Sequence, residues 1–128
     1  MIAVDASALL AILLGEPEGD AFRELLERTS ATMSPVNYWE VFSRSYMAGG
    51  YGAVIAAEDL IADLGLRVTS VDEQGARRAL NAFTRFGKGV GGPLNLGDCF
   101  AYALAEAEGD GLLFKGTDFP RTDVKPAI

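Results

Sequence analysis

Short apolar runs alternate along the chain with longer segments whose apolar residues recur at helical spacing. Met1-Ile-Ala-Val4 reads as a buried strand, and Asp5-Ala-Ser7 places its end where a helix starts. Two helical segments follow, Ser7 to Leu14 and Pro17 to Arg28, parted by the breaker Gly15-Glu-Pro17. In the second, Phe22, Leu25 and Leu26 share a face. Ala31-Thr-Met33 is the second strand, and Ser34-Pro35 supplies an N-cap with proline at the first helical position. The helix so opened is expected to run to about Ala48, where Gly49-Gly50 stops it. Tyr51 to Leu64 reads as a further helix with Val54, Ile55, Leu60, Ile61 and Leu64 apolar, closed by Gly65.

Arg67 to Val71 is rich in β-formers and reads as a strand. Asp72 then caps a helix to about Phe86 that contains Ala76, Ala79, Leu80 and Phe83. Gly87-Lys-Gly-Val-Gly-Gly-Pro93 is the strongest loop signal in the chain and is expected to be mobile. Asn95 caps a helix from Leu96 to Glu108, whose apolar and alanine content predicts burial on more than one side, and Gly109 ends it. Leu112-Leu-Phe114 reads as a buried strand, Gly116-Thr-Asp-Phe119 as the loop after it, and Val124 to Ile128 as a terminal edge strand. Apolar strands alternating with helices imply an α/β fold with a parallel sheet covered on both faces and right-handed crossovers. Ligands of such folds bind at the carboxyl ends of the strands. Asp5 and Asp118, each following a strand, fall on that rim.

With 128 residues, the chain fits one compact domain. Its 49% hydrophobic and 23% charged residues are those of a folded protein. The longest apolar stretch, Ile2 to Leu14, is broken by Asp5 and Ser7 and is shorter than the roughly 20 residues a membrane span requires. No basic residue precedes it, as a secretory signal would require, so the cytoplasm is the default compartment. The lone Cys99 excludes an internal disulfide and is expected in the core. The absence of histidine excludes Cys–His and Ser–His–Asp catalysis and His-ligated zinc in their usual forms, leaving carboxylates to do any chemistry. A net charge of −7 argues against binding nucleic acid unless the acids hold metal.

Each candidate acid has a structural reading beside the functional one. Asp5 breaks an apolar opening, where an unpaired charge is costly, and is equally placed to cap the following helix. Asp98 sits third after the cap Asn95, where a carboxylate completes a capping box. Glu40 shares a helix face with Val36 and Arg44, so an ion pair with Arg44 is its simpler role. Asp118 is able to stabilise its own loop. What raises all four is joint placement, because acids facing one another repel and need protons or a hard cation such as Mg²⁺ or Mn²⁺. Asp72 is left as a cap, and Glu16, Glu18, Asp59 and Asp63 as solvated charges.

The stretches MIAVDASALLAIL, Pro35-Val-Asn-Tyr-Trp-Glu40, Leu94-Asn-Leu-Gly-Asp-Cys-Phe-Ala-Tyr-Ala103 and Leu113-Phe-Lys-Gly-Thr-Asp-Phe119 together resemble PIN-domain ribonucleases, and among them the VapC-type toxins of VapBC toxin–antitoxin pairs. The resemblance spans nearly the whole chain in order. It implies a three-layer α/β/α sandwich and assigns Asp5, Glu40, Asp98 and Asp118 to a Mg²⁺ or Mn²⁺ site, with the hydroxyls of Ser7 and Thr117 as neighbours and Asp123 as an outer acid of structural character. It further implies RNA hydrolysis by metal-activated water leaving 5′-phosphate ends, a homodimer, and a cognate antitoxin whose basic tail occupies the acidic groove. Lys88, Lys115 and Arg85 are the candidate contacts to RNA phosphates. Many relatives carry more basic residues, often with a histidine, in the loop corresponding to residues 87–93; here only Lys88 remains.

Two rivals are kept. A haloacid-dehalogenase-like phosphatase would use an aspartate at the end of the first strand as nucleophile, but its DxD pattern is broken here by Ser7. A catalytically inactive module of the same fold would hold RNA or a partner without cutting. Gly87-Lys-Gly lacks the spacing and hydroxyl of a Walker A loop, which removes nucleotide hydrolysis through that motif.

Overall fold

The computed structural model describes residues 1–128. Its elements run β1 (Ile2–Val4), α1 (Ala6–Leu13), α2 (Gly19–Arg28), β2 (Ala31–Met33), α3 (Pro35–Asp63), β3 (Arg67–Val68), α4 (Glu73–Phe86), α5 (Leu96–Glu108), β4 (Leu112–Leu113) and a short 3₁₀ turn (Phe119–Arg121). The strands form one parallel sheet in the order β3-β2-β1-β4. β1 and β2 are buried along their whole length, as expected of strands covered on both faces.

Side-chain alternation assigns the layers. Ile2, Val4, Met33 and Leu113 face a core built with α1, α2 and α3, including Leu9, Phe22, Leu26, Val41, Leu60 and Ile61. Ala3 and Leu112 face the opposite core, with Ala79 and Ala82 of α4, Leu94, Phe119, and Cys99, Ala101, Tyr102 and Ala105 of α5. This is the α/β/α sandwich. The small Ala3 lets α5 pack closely over the central strand.

The caps at Ser34, Asp72 and Asn95 accept backbone N–H groups of the first turns of α3, α4 and α5. The two helices expected on either side of Gly49-Gly50 run on as α3, and the break survives as a kink: Gly49 leaves helical geometry and Gly50 takes φ +69°, which favours glycine. The second helix starts at Gly19 rather than Pro17, because the Gly19 N–H is taken by the Glu16 carbonyl in a turn through Pro17. The third strand shrinks from the expected five residues to Arg67–Val68: its ladder on the short β2 ends at the bond from Thr69 N–H to Met33 O. The expected terminal strand reduces to one bridge, with Leu112 N–H donating to Lys125 O and Ala127 N–H to Leu112 O around Pro126, which has no N–H to extend it.

The loop expected to be mobile is tied down. Leu94 N–H donates to Phe86 O, Lys88 N–H to Leu94 O, and Val90 and Gly92 N–H both to Gly87 O. Within α4 Ala79 and Ala82 carry the packing, while Ala76, Leu80 and Phe83 remain exposed. No helix is long and apolar enough to cross a membrane.

Met33, fully buried on β2 in the α1–α3 core, tests this packing. Met33→Ala should cost about 3 kcal/mol of stability through lost transfer energy and cavity formation, measured as a lower urea midpoint with unchanged slope.

Candidate active site

The chain leaves β1 for β2 and β3 on one side, then returns to lay β4 on the other, so the strand order switches direction between β1 and β4. The crevice outside the carboxyl ends of those two strands is where an open α/β sheet presents a site. A cavity of about 160 Å³ lies there, lined among others by Asp5, Ser7, Glu40, Asn95, Asp98, Lys115 and Asp118.

Asp5 enters directly from β1 and is only 6% exposed. Its N–H donates to Leu113 O at 2.9 Å, locking it to β4. Asp5 Oδ2 accepts from the Ser7 N–H at 3.1 Å and from Ser7 Oγ at 2.5 Å, and so caps α1. Ser7 Oγ also accepts the Lys115 N–H at 3.0 Å, which joins the two rims of the crevice through one hydroxyl. Asp98 enters from the first turn of α5 in a full capping box: Asn95 Oδ1 accepts from Asp98 N at 2.9 Å and Asp98 Oδ2 accepts from Asn95 N at 3.0 Å. The structural readings of Asp5 and Asp98 therefore hold, and the same contacts orient both carboxylates at the cavity.

Glu40 comes from α3. Its Oε1 accepts from Asn37 Nδ2 at 2.8 Å, and the same Nδ2 donates to Gly97 O at 3.0 Å. The carboxylate lies against the backbone of α5; a Cβ at Gly97 would meet Glu40 Oε1 at 2.2 Å. Arg44 forms no salt bridge with Glu40, though its charge favours the ionised carboxylate and it lines the cavity beside it. Asp118 lines the cavity from the loop after β4, exposed and without a side-chain cap bond.

Burial raises the pKa of Asp5; Ser7 opposes this by hydrogen bonding, and the Glu40 charge adds to it. Glu40 is raised by burial and by Asp98, against the Asn37 hydrogen bond and Arg44. Asp98 is pushed up to about 6, first by burial and then by the charges of Asp5 and Asp118, against the Asn95 backbone bond and Lys88. As the side chains stand, no three acids are in ligating geometry, so closing on an ion calls for side-chain rotation. The donor chemistry nevertheless fits a hard divalent cation. All the acids offer oxygen, the three deeper ones resist ionising together, and Asp5 Oδ1, Glu40 Oε2 and Asp98 Oδ1 hydrogen-bond to no other side chain.

Several expected site residues are not brought here. Thr117 is exposed and outside the cavity lining. Arg85 is bound by Asp123 at 2.8 Å and by Tyr102 Oη at 3.1 Å, tying α4 and α5 to the C-terminal segment; Asp123 is structural, as expected. Lys115 reaches the cavity, but its ammonium pairs with Glu16 and, at 3.6 Å, with Glu18, which corrects the reading of those two glutamates as merely solvated. Lys88 is exposed near Asp98 and has no ion-pair partner within 4 Å. Sequence reasoning missed Asn37 and Gly97. Their signals were an amide three residues before Glu40 and a glycine inside the first turn of a helix, where it is otherwise unfavourable. An apolar groove of about 540 Å³ adjoins the cavity, sharing Leu10 and Arg44 with it and lined further by Leu13, Leu14 and Met47.

The chain matches the PIN domain family over residues 2–125. It is 40% identical over 127 residues to "Ribonuclease VapC42" of Mycobacterium tuberculosis, covering 97% of each chain. It is 41% identical over 132 residues to "Ribonuclease VapC" of Mycolicibacterium smegmatis, covering 94% of this chain and 95% of that one. Among solved structures it superposes on Mycobacterium tuberculosis VapC20, described as a sarcin-ricin loop cleaving toxin, with a TM-score of 0.78 at 18% identity, covering 100% of this chain and 98% of that one. A toxin–antitoxin complex from Klebsiella pneumoniae gives a TM-score of 0.73 at 16% identity, covering 93% and 90%. At those identities the two structures share the fold.

The elevated carboxyl groups give a signed pH dependence. Between the ordinary aspartate value of 3.8 and about 6, the folded protein holds a proton on Asp98 that the unfolded chain has released. Stability from this source is full below that window and is lost as pH rises through it. Metal-free protein should therefore melt at a lower temperature at about pH 7.5 than at about pH 5, and Asp98→Asn should flatten the trend. Thermal melts in EDTA across that range provide the check.

Proposed function

The chain belongs to the PIN-domain family, and from that premise we propose that it is an endoribonuclease, the toxin half of a VapBC-type toxin–antitoxin pair, which hydrolyses RNA phosphodiester bonds with Mg²⁺ or Mn²⁺. The observation that carries this reading is the convergence of Asp5, Glu40 and Asp98, from three separate elements, with Asp118 at the mouth, on one cavity at the switch point of the sheet. Residues 1–128 act as a single nuclease domain in this reading.

Asp5, Glu40, Asp98 and Asp118 would hold the cation. When bound, it would supply the charge that lowers the pKa of water and stabilises the departing oxygen of the phosphodiester. The chain's own contribution is orientation: Ser7 fixes Asp5 and the opposite rim, and the capping box fixes Asp98. Contact with RNA phosphates falls to Lys88, joined by Arg44 at the cavity wall, because Arg85 and Lys115 are engaged by acids of the same chain. With a net charge of −7, RNA binding depends on these local cations and on the metal rather than on overall attraction.

A cognate antitoxin is the proposed protein partner. The apolar groove beside the acidic cavity supports a tail with an apolar stretch running into basic residues. Self-association as a homodimer and a cytoplasmic location complete the reading. Exposed Leu80, Phe83 and Leu96, which line an apolar cleft between α4 and α5, are available for such a contact.

The test is cleavage of a mixed cellular RNA pool by the purified chain with Mg²⁺ or Mn²⁺, against EDTA and Asp98→Asn. Discrete metal-dependent cuts bearing 5′-phosphates, reduced on the order of 100-fold or more in the variant, are expected. Equal inertness of wild type and variant, both folded and binding metal alike, would leave the non-cutting module. A phosphoaspartate trapped on Asp5 would establish the phosphatase instead.

A further inference from the structure

Asn37 is fully buried on α3, three residues before Glu40 and therefore on the same helix face. Both hydrogens of its amide nitrogen are used, one on Glu40 Oε1 and one on Gly97 O, while its Oδ1 has no partner. The reversed amide would set Oδ1 against a carboxylate and a carbonyl, both acceptors, so the hydrogen-bond network fixes the orientation. A buried acceptor left unsatisfied is unfavourable, and an apolar side chain of similar volume would avoid it. The amide's return lies in what its nitrogen joins: the first two turns of α3 to the first turn of α5, one residue before Asp98. Gly97 completes the arrangement, since only a bare backbone admits the Glu40 carboxylate at that distance.

We propose that Asn37, acting with the bare backbone of Gly97, is a positioning residue that sets the Glu40 carboxylate beside Asp98 so that the two can share a divalent cation. The inference rests on the metal-binding reading given above. It assigns Asn37 no contact with substrate. Its effect passes through Glu40.

Mn²⁺ titration followed by electron paramagnetic resonance on the full chain tests it, with thermal melts in EDTA alongside. Asn37→Leu keeps the branched four-atom skeleton of the side chain and removes the donors. Mn²⁺ affinity should weaken about 10-fold or more, while the melts in EDTA show a metal-free chain that still folds cooperatively. Gly97→Ala, which displaces Glu40 by a different route, should reproduce the weakening. In a Glu40→Gln background, Asn37→Leu should add no further loss, because the pathway through Glu40 is already gone. Wild-type affinity in both single variants, or the same loss with and without Glu40, overturns the inference and leaves Asn37 a packing residue. If the wild-type chain itself binds no Mn²⁺, the metal reading falls and this inference with it.

Discussion

A carboxylate buried at the carboxyl end of the central strand is the constraint on which the rest of the site depends. Asp5 is 6% exposed, and removing such a charge from water costs several kcal/mol unless partners or protons offset it. The fold answers locally with Ser7, whose N–H and hydroxyl both serve Asp5 Oδ2. The same hydroxyl takes the backbone N–H of Lys115, so stabilising the charge also fixes the spacing of the loops after β1 and β4. Glu40 and Asp98 then add negative charge around a group that is already hard to ionise. Carboxylates gathered this way at the switch point of a parallel sheet are poorly suited to structure alone and well suited to a divalent cation.

In these residues the structural role and the proposed functional one are compatible: both are caps, and both line the cavity. Asp5 caps α1 and Asp98 closes the capping box of α5, and each leaves one carboxylate oxygen free of side-chain partners. A helix N-terminus also brings partial positive charge to the acid it orients. A cap specifies a direction, and the topology decides what that direction points at.

Local chemistry was the part legible in the sequence. Asp72 and Asn95 announce α4 and α5, Gly49-Gly50 announces a helix end that the structure keeps as a break within α3, and the apolar runs announce the parallel sheet, because caps, breakers and periodicity act within a few residues. Strand extent was less legible: β3 is limited by a three-residue neighbour, and Pro126 withholds the N–H a terminal strand would need. Long-range partners were not legible at all. Lys115 meets Glu16 about a hundred residues away in the chain, Arg85 meets Asp123, and Glu40 reaches its place through Asn37 and Gly97. These pairings exist only once the layers have packed, so in the sequence Lys115 and Arg85 read as available although the fold engages their charges.

The acidic cavity between β1, α3 and α5 has the donor set of a divalent-cation site. Crystals of the chain grown or soaked with Mn²⁺ and measured for anomalous scattering test it most directly. A peak is expected in the cavity with carboxylate oxygens of Asp5 and Asp98 as ligands and Glu40 directly bound or one water away. Bound Mn²⁺ confined to other acidic residues, with this cavity holding only water at saturating metal, would contradict it.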